Sequence, residues 1–172
     1  MSTNKTVNSQ RKTTNNKIMM QTLQSVDLKH GLLSECIHVQ TELVNAIKQS
    51  MKHAIESANM EPSAEDNADS FREQCNMDRD MYSMKLRDAS LTLAGLQKIN
   101  GDIESNTVRY GAVVLTDVQN LFVSVSLGQV NFDGDTYVAI STQSPLYQVM
   151  EGKKKGDSFE FRGRKFNIKD IL

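Results

Sequence analysis

Between residues 61 and 70 the chain reads EPSAEDNADS, which places four carboxylates, Glu61, Glu65, Asp66 and Asp69, within ten positions around Pro62. Two kinds of chemistry suit such a stretch. One is structural: Ser63-Ala64-Glu65-Asp66 fits a capping box, with Ser63 capping a helix and Asp66 reaching back. Glu65, Asp66 and Asp69 would then oppose the positive end of the helix dipole, each contributing at most ~0.3–1 kcal/mol. The other is metal chemistry. Asp66 and Asp69, at i and i+3, share a helix face, with Glu65 beside them. Mg²⁺ is held by one or two carboxylates, with waters and substrate phosphates completing its shell. Such a tip holds Mg²⁺ poorly by itself, but it could complete a site supplied by a partner macromolecule, as two-metal phosphodiester chemistry requires.

What positions these acids is the pattern on either side. Leu33, Ile37, Val44, Ile47, Met51, Ala54 and Ala58 follow a four-three spacing, with Gln40 as the one polar interruption, and so form a coiled-coil seam. A second seam runs through Cys75, Tyr82, Leu86, Ala89, Leu93 and Leu96. Facing positions of an antiparallel hairpin sum to a constant, and Leu33 with Leu93, Ile37 with Ala89, Val44 with Tyr82 and Met51 with Cys75 all sum to 126. The symmetry centre is Ser63, so the acidic stretch is the hairpin turn. From Leu33 to Met60 the arm would project ~40 Å at the α-helical rise. Cys36 near the base and Cys75 near the tip would lie ~20 Å apart on the same scale, beyond disulfide reach. Met77, Met81, Met84 and Leu91 make a second apolar stripe on the second helix, expected to pack against residues 18–32 or the second domain rather than to receive a partner. Gly31 is expected to kink the first helix where residues 17–30 leave the arm.

The pattern changes near Ile103. GDIESN, residues 101–106, reads as a joint, and glycine-punctuated alternating segments follow. Asp133-Gly134-Asp135 predicts a tight hairpin turn. In SPLYQVMEGKKKGD, residues 144–157, Ser144 is an N-cap, Pro145 sits at N1 and Gly152 lies past the end of one short helix. A final strand pair turns at Arg162-Gly163. The expected architecture is α+β: a solvated tail over 1–16, an antiparallel coiled-coil hairpin over 17–102 with its acidic tip at 60–70, and a small antiparallel β domain with one short helix over 107–172.

Much chemistry is absent. His30, His38 and His53 all lie in the first helical region, and His38 stands two residues from Cys36, so the pair cannot share a zinc ion. There is no phosphate-binding glycine loop and no nucleophile elbow. The net charge of −1 gives no global field for nucleic acid or an anionic surface. It does conceal an uneven distribution: residues 61–80 hold seven acids and two arginines, whereas residues 1–60 hold seven Lys/Arg against four acids. No apolar run approaches the ~20 residues needed to span a bilayer. Two cysteines and no secretory signal suggest a reducing cytoplasm.

At this level of detail the chain resembles the bacterial transcript-cleavage factors GreA and GreB. SPLYQVMEGKKKGD resembles that family's Ser-Pro, short helix, Gly-Lys-Lys-x-Gly-Asp segment without a gap, and YVAIS, residues 137–141, resembles the strand before it. EDNAD, residues 65–69, is similar to the family's Ser-Glu-Asn-Ala-Glu tip, and LTLAG, residues 91–95, to its Leu-Ser-Asn-Ala-Gln. The resemblance spans roughly residues 33–172, more strongly after 107. It implies an FKBP-like second domain docking on RNA polymerase, through Ser144, Pro145, Gly152, Lys153 and Asp157. The hairpin would enter the secondary channel, where tip carboxylates (Asp66, with Glu65 and Asp69) help to hold a Mg²⁺ of the polymerase while it cleaves backtracked RNA. The factor would be a monomer, bind no cofactor alone and not be an enzyme itself. Lys48, Lys52, Arg72 and Arg79 would lie near the nascent RNA 3′ end, unless they are simply solvated helix surface. One position departs: the family's tip Asp falls on Ser63, whose hydroxyl is a poor Mg²⁺ ligand. That departure implies the alternative of a channel-binding regulator that does not stimulate cleavage.

Overall fold

A computed structural model describes the backbone over residues 3–59 and 68–172, and side chains over 25–57, 59 and 69–172. The chain divides into two units, one of Glu35–Lys98 and one of Met1–Ser34 with Ile99–Leu172.

The first unit is the helical hairpin, made from the later part of α1 (Thr3–Ala58) and all of α2 (Ala68–Gln97). The four-three seam is the buried line: Gln40, Val44, Cys75 and Ala89 are buried, and Ile37, Ile47, Met51, Ala54, Tyr82, Leu86 and Leu93 are half-buried. Gln40 is 3% exposed, and its amide Nε2 donates to the carbonyl of Ala89 at 2.9 Å. The positions 40 and 89 fall within one turn of the register read from the sequence. Cys36 and Cys75 are both buried and both free. Burial, and then the Glu35 carboxylate, push the Cys36 thiol up to about 11. The α2 helix closes with Lys98 N–H donating to the Gly95 carbonyl, a 3.2 Å bond of the tighter kind common in last turns.

α1 begins at Thr3, so residues 3–16, expected as a solvated tail, are helical backbone. The physical reason is that residues 3–30 hold neither glycine nor proline. A helix already nucleated downstream therefore extends through them without a breaker. The helix also continues through Gly31. What Gly31 supplies is clearance: a Cβ there would overlap the edge of the Phe132 ring.

In the second unit six strands follow, β1 (Val113–Thr116), β2 (Asn120–Ser124), β3 (Gly128–Phe132), β4 (Asp135–Ser141), β5 (Ser158–Phe161) and β6 (Arg164–Ile171), with α3 (Pro145–Met150) between β4 and β5. The sheet order is β3-β4-β2-β1-β6-β5. Both hairpin turns expected from sequence are present. Asp133 and Gly134 join β3 to β4, and Arg162 and Gly163 join β5 to β6, all four with positive φ as a two-residue type I′ loop demands. All pairings are antiparallel except β2 with β4, which runs parallel from Asn120↔Tyr137 to Ser124↔Ser141. That pairing was invisible to a strand-by-strand reading, because it depends on the β3–β4 hairpin folding back beside β2.

The core of the sheet contains Val114, Leu121, Val123, Ile140, Phe159, Phe166 and Ile168, and α3 lays Leu146, Tyr147 and Met150 on it. Phe159 and Phe166, paired across β5 and β6, stack with centroids 4.8 Å apart. Within the same unit, Lys29 is 2% exposed and its Nζ donates to the Ile103 carbonyl at 2.7 Å. Burial holds its amine below the usual lysine range. His30 Nε2 lies 2.7 Å from Asp102 Oδ1, and Asp102 N–H donates to Asn100 Oδ1 at 2.9 Å. These bonds tie the residues after α2 to the first part of α1.

Candidate functional site

Of the tip acids, Asp69 falls within the described residues, exposed in the first turn of α2. There it complements the helix dipole. Glu61, Ser63, Glu65 and Asp66 lie outside the described residues, and with them the capping box. Among the described residues no group of three or more His, Cys, Asp or Glu is placed to hold a metal ion. Asp69 alone therefore fits a metal ion only as one ligand among others supplied elsewhere.

The four cations near the tip differ in placement. In the hairpin register Arg72 and Arg79 continue at sevens the line of Leu86 and Leu93, opposite Ala54 and Ile47, while Lys48 follows Ile47 and Lys52 is one turn beyond Lys48. All four are exposed. Lys52 pairs with Glu56 at 3.6 Å and Arg79 with Asp80 at 2.9 Å. Lys48 and Arg72 make no ion pair among the described residues. Exposed pairs of this kind contribute little to stability, roughly 0–1 kcal/mol.

On α2, Met77, Met81, Met84 and Leu91 are 54%, 40%, 70% and 63% exposed. Val39 and Leu43 of α1, absent from the sequence reading, are exposed on the same flank. Their signal was available: each stands one position before a seam residue, Gln40 or Val44, where a solvated helix would carry a polar side chain.

In the β unit, the residues of SPLYQVMEGKKKGD each have a folding task. Ser144 is extended (φ −71°, ψ 142°), and its Oγ accepts from Tyr147 N–H at 3.2 Å, with Pro145 opening the helix. Gly152 has φ +71°, and its N–H donates to the Val108 carbonyl at 2.9 Å, while Val108 N–H donates to the Lys153 carbonyl at 2.8 Å. Asp157 Oδ2 accepts from Lys154 N–H at 2.8 Å, closing the turn that holds Gly156 at φ +90°. Pro145, Gly152 and Asp157 are exposed, and Ser144 and Lys153 half-buried. The segment is thus a short capped helix and a rigid turn presented at the surface, with Val149 39% exposed beside it. Lys155 is paired with Asp170 at 3.0 Å, and the Arg162 guanidinium lies over the Phe161 ring at 5.3 Å.

No helix among the described residues is long and apolar enough to cross a membrane. No protein-family model matches the chain, and no curated protein matches it in sequence. Among solved structures the chain is similar to the crystal structure of GreA factor homolog 1 (Gfh1) protein of Thermus thermophilus, with 15% identity over 81% of this chain and 92% of that one, at a TM-score of 0.32. It is also similar to a structure of the transcription factor Gfh1, with 16% identity over 80% of this chain and 93% of that one, at a TM-score of 0.31. At these scores the likeness carries no weight for function, which must be argued from the chain's own residues.

Proposed function

We propose that this protein is a Gre-type transcription elongation factor. It binds bacterial RNA polymerase by way of the secondary channel and promotes cleavage of backtracked RNA, with the polymerase as the catalyst. The observation that carries the reading is the pairing of two features in one chain: a hairpin whose sequence turn is EPSAEDNADS, and a rigid surface turn, SPLYQVMEGKKKGD, that resembles the Gre segment without a gap. The first is shaped to reach into a narrow cavity, and the second supplies a surface for docking outside it.

In this reading Asp66 offers a carboxylate to a Mg²⁺ held by the polymerase, with Asp69 three residues on and Glu65 beside it. The ion, when bound, supplies Lewis acidity at the phosphate and an acidified water. Lys48 and Arg72, within a few turns of the tip, would hold phosphates of the RNA 3′ end. Ser144, Pro145, Gly152, Lys153 and Asp157 present the docking turn.

Ser63 favours a second reading on the same scaffold: a regulator that occupies the channel without stimulating cleavage. The experiment that separates them is RNA cleavage in a stalled, backtracked elongation complex from the same organism. The cleavage reading predicts stimulation that Asp66→Ala abolishes with helicity unchanged. Unstimulated cleavage with polymerase binding intact selects the second reading, and absence of binding removes both.

A further inference from the structure

The proposed function leaves unused a basic surface at one side of the β unit. Residues 151–170 hold seven Lys/Arg against four acids, a net of +3, whereas the remaining residues hold thirteen against seventeen, a net of −4. The fold gathers that charge along β6. Lys165, Asn167 and Lys169 are exposed and alternate with the buried Phe166 and Ile168, so they stand on the side of the strand turned away from the core. Arg162 and Arg164 lie at the β5–β6 turn, at one end of this row. At the other end the turn carrying Lys154 and Lys155 runs beside β6: Gly156 N–H donates to the Ile168 carbonyl and Ile168 N–H to the Asp157 carbonyl, both at 2.9 Å. Lys154, Lys155, Arg162 and Arg164 are exposed as well. We propose that this surface binds the phosphate backbone of a nucleic-acid duplex, without reading its sequence.

The acids that border these cations are each engaged by the fold. Glu151 accepts from the Tyr147 hydroxyl at 3.0 Å, and Asp157 accepts from Lys154 N–H at 2.8 Å. Asp170 pairs with Lys155 at 3.0 Å, and Glu160 stands opposite Lys165 in the β5–β6 register. Asp117, which meets β6 from the β1–β2 turn, accepts from both the backbone and the side-chain amide of Asn167. With Asp117 counted as a fifth acid, the seven cations still leave a net of +2. Past the end of β6, Leu172 lines a small cavity together with Glu104, and there the basic surface stops.

Two features select a duplex as the partner. The first is the make-up of the face. The outward side chains of β5 and β6 are Ser158, Glu160, Lys165, Asn167 and Lys169, all polar. The centre of a protein–protein interface is apolar and depleted of charge, so a protein partner would find no anchor here. Single strands are held by bases stacked on aromatic side chains, and the rings of this strand pair are used elsewhere. Phe159 stacks on Phe166 in the core, and Phe161 packs against that core with the Arg162 guanidinium over it. A duplex backbone asks only for cations in a row. The second feature is spacing. Side chains on one side of a strand recur every ~7 Å, which puts Lys165 and Lys169 about 13 Å apart along β6. That pitch is close to the step between successive phosphates of one strand. Contacts of this kind position a protein on a duplex and specify no site.

Fluorescence anisotropy of a labelled DNA duplex of arbitrary sequence, titrated with the full chain, tests this. The expected dissociation constant is micromolar at ~50 mM salt and roughly 40-fold weaker at about 200 mM, for three phosphates held. Lys165→Glu with Lys169→Glu should weaken binding by about tenfold or more. Lys154→Gln with Lys169→Gln, which introduces no new charge, should lower the log–log salt slope by about 1.8. Lys85→Glu with Lys98→Glu, on exposed positions of α2, changes the net charge as much as the first variant and should leave binding within about twofold. Absence of binding at low salt would overturn the proposal, and so would an equal loss in the α2 variant. Tighter binding of the single strand would overturn it in favour of unpaired nucleic acid. Polyglutamate displacing the duplex as well as unlabelled duplex does would overturn it in favour of an acidic protein. Polymerase binding is a separate measurement, so this proposal and the Gre reading fail independently.

Discussion

The amide of Gln40 crosses the hairpin seam to the carbonyl of Ala89 at 2.9 Å, from a side chain only 3% exposed. The carbonyl lies within α2 and can be shared with that helix's own backbone bond, so the side chain adds specificity more than stability. One polar residue at an apolar seam position excludes registers in which its donors would be buried without acceptors.

The expected outcome for Gln40→Leu is a stability equal to or above that of the parent, with a hairpin less restricted to one register. Gln40→Ala, which leaves a cavity as well, should lose about 1–3 kcal/mol. Thermal unfolding followed by circular dichroism measures the first effect, and paired spin labels across the seam measure the second. A large loss in Gln40→Leu would show that the bond itself holds the hairpin together.

Gly31→Ala should reverse the usual rule for a helix interior. Alanine is ordinarily better there by ~0.5–1 kcal/mol. Against Phe132 the new methyl group overlaps the ring edge, and the net effect should be a loss of about 1–3 kcal/mol. In a Phe132→Ala background the same substitution should become neutral or stabilising. Urea denaturation of the four proteins closes the cycle, and equal effects in both backgrounds would refute the contact.

Asp117 joins the turn between β1 and β2 to β6. Its Oδ1 accepts from Asn167 N–H at 2.9 Å, and Oδ2 accepts from the Asn167 side-chain amide. Those bonds, backbone first, hold its carboxyl below the usual aspartate range. A carboxyl whose value is lower in the folded state stabilises the fold fully above the unfolded value of about 4, and that contribution is lost as pH falls through the lower folded value. Asp117→Ala should therefore be less stable than the parent near neutrality, and the difference should shrink on acidification below about pH 4. A difference that stays constant with pH would remove the ionic origin.

The capped helix divides into costs that differ by position. Met150 is fully buried, and Met150→Ala should cost about 2–5 kcal/mol. Ser144→Ala removes one cap bond and should cost ~1 kcal/mol. If Ser144 also touches polymerase, its alanine variant will bind more weakly than that small loss explains. Binding that tracks stability alone would leave it a cap and nothing more.

Much of this molecule was legible in its sequence because local rules dictated it. The seam residues repeat at four and three, so Val44, Cys75 and Ala89 could be buried only one way. The Asp133-Gly134 and Arg162-Gly163 turns need positive φ, which these residue pairs accommodate. Ser144-Pro145 can hardly do other than start a helix. What escaped reading depended on neighbours distant in sequence. Gly31 looked like a kink because the ring of Phe132, 101 positions away, cannot be inferred from helix periodicity. The parallel β2–β4 pair needs the β3–β4 hairpin to be folded first. The methionine stripe shows only that one face of α2 is apolar, because apolar periodicity says nothing of what lies against it. At the tip, spacing alone supports both a capping box and a metal-completing role, and the two require the same residues.

The most direct test of the account is to place a photoactivatable cross-linker at Asp69, at the start of α2, and to map its adducts on RNA polymerase in a backtracked elongation complex. The account predicts adducts on the catalytic subunits beside the active-site metal and at the RNA 3′ end, lost when an excess of unmodified protein competes. Adducts confined to the outer surface of the polymerase, or none under conditions where the proteins bind, would contradict it.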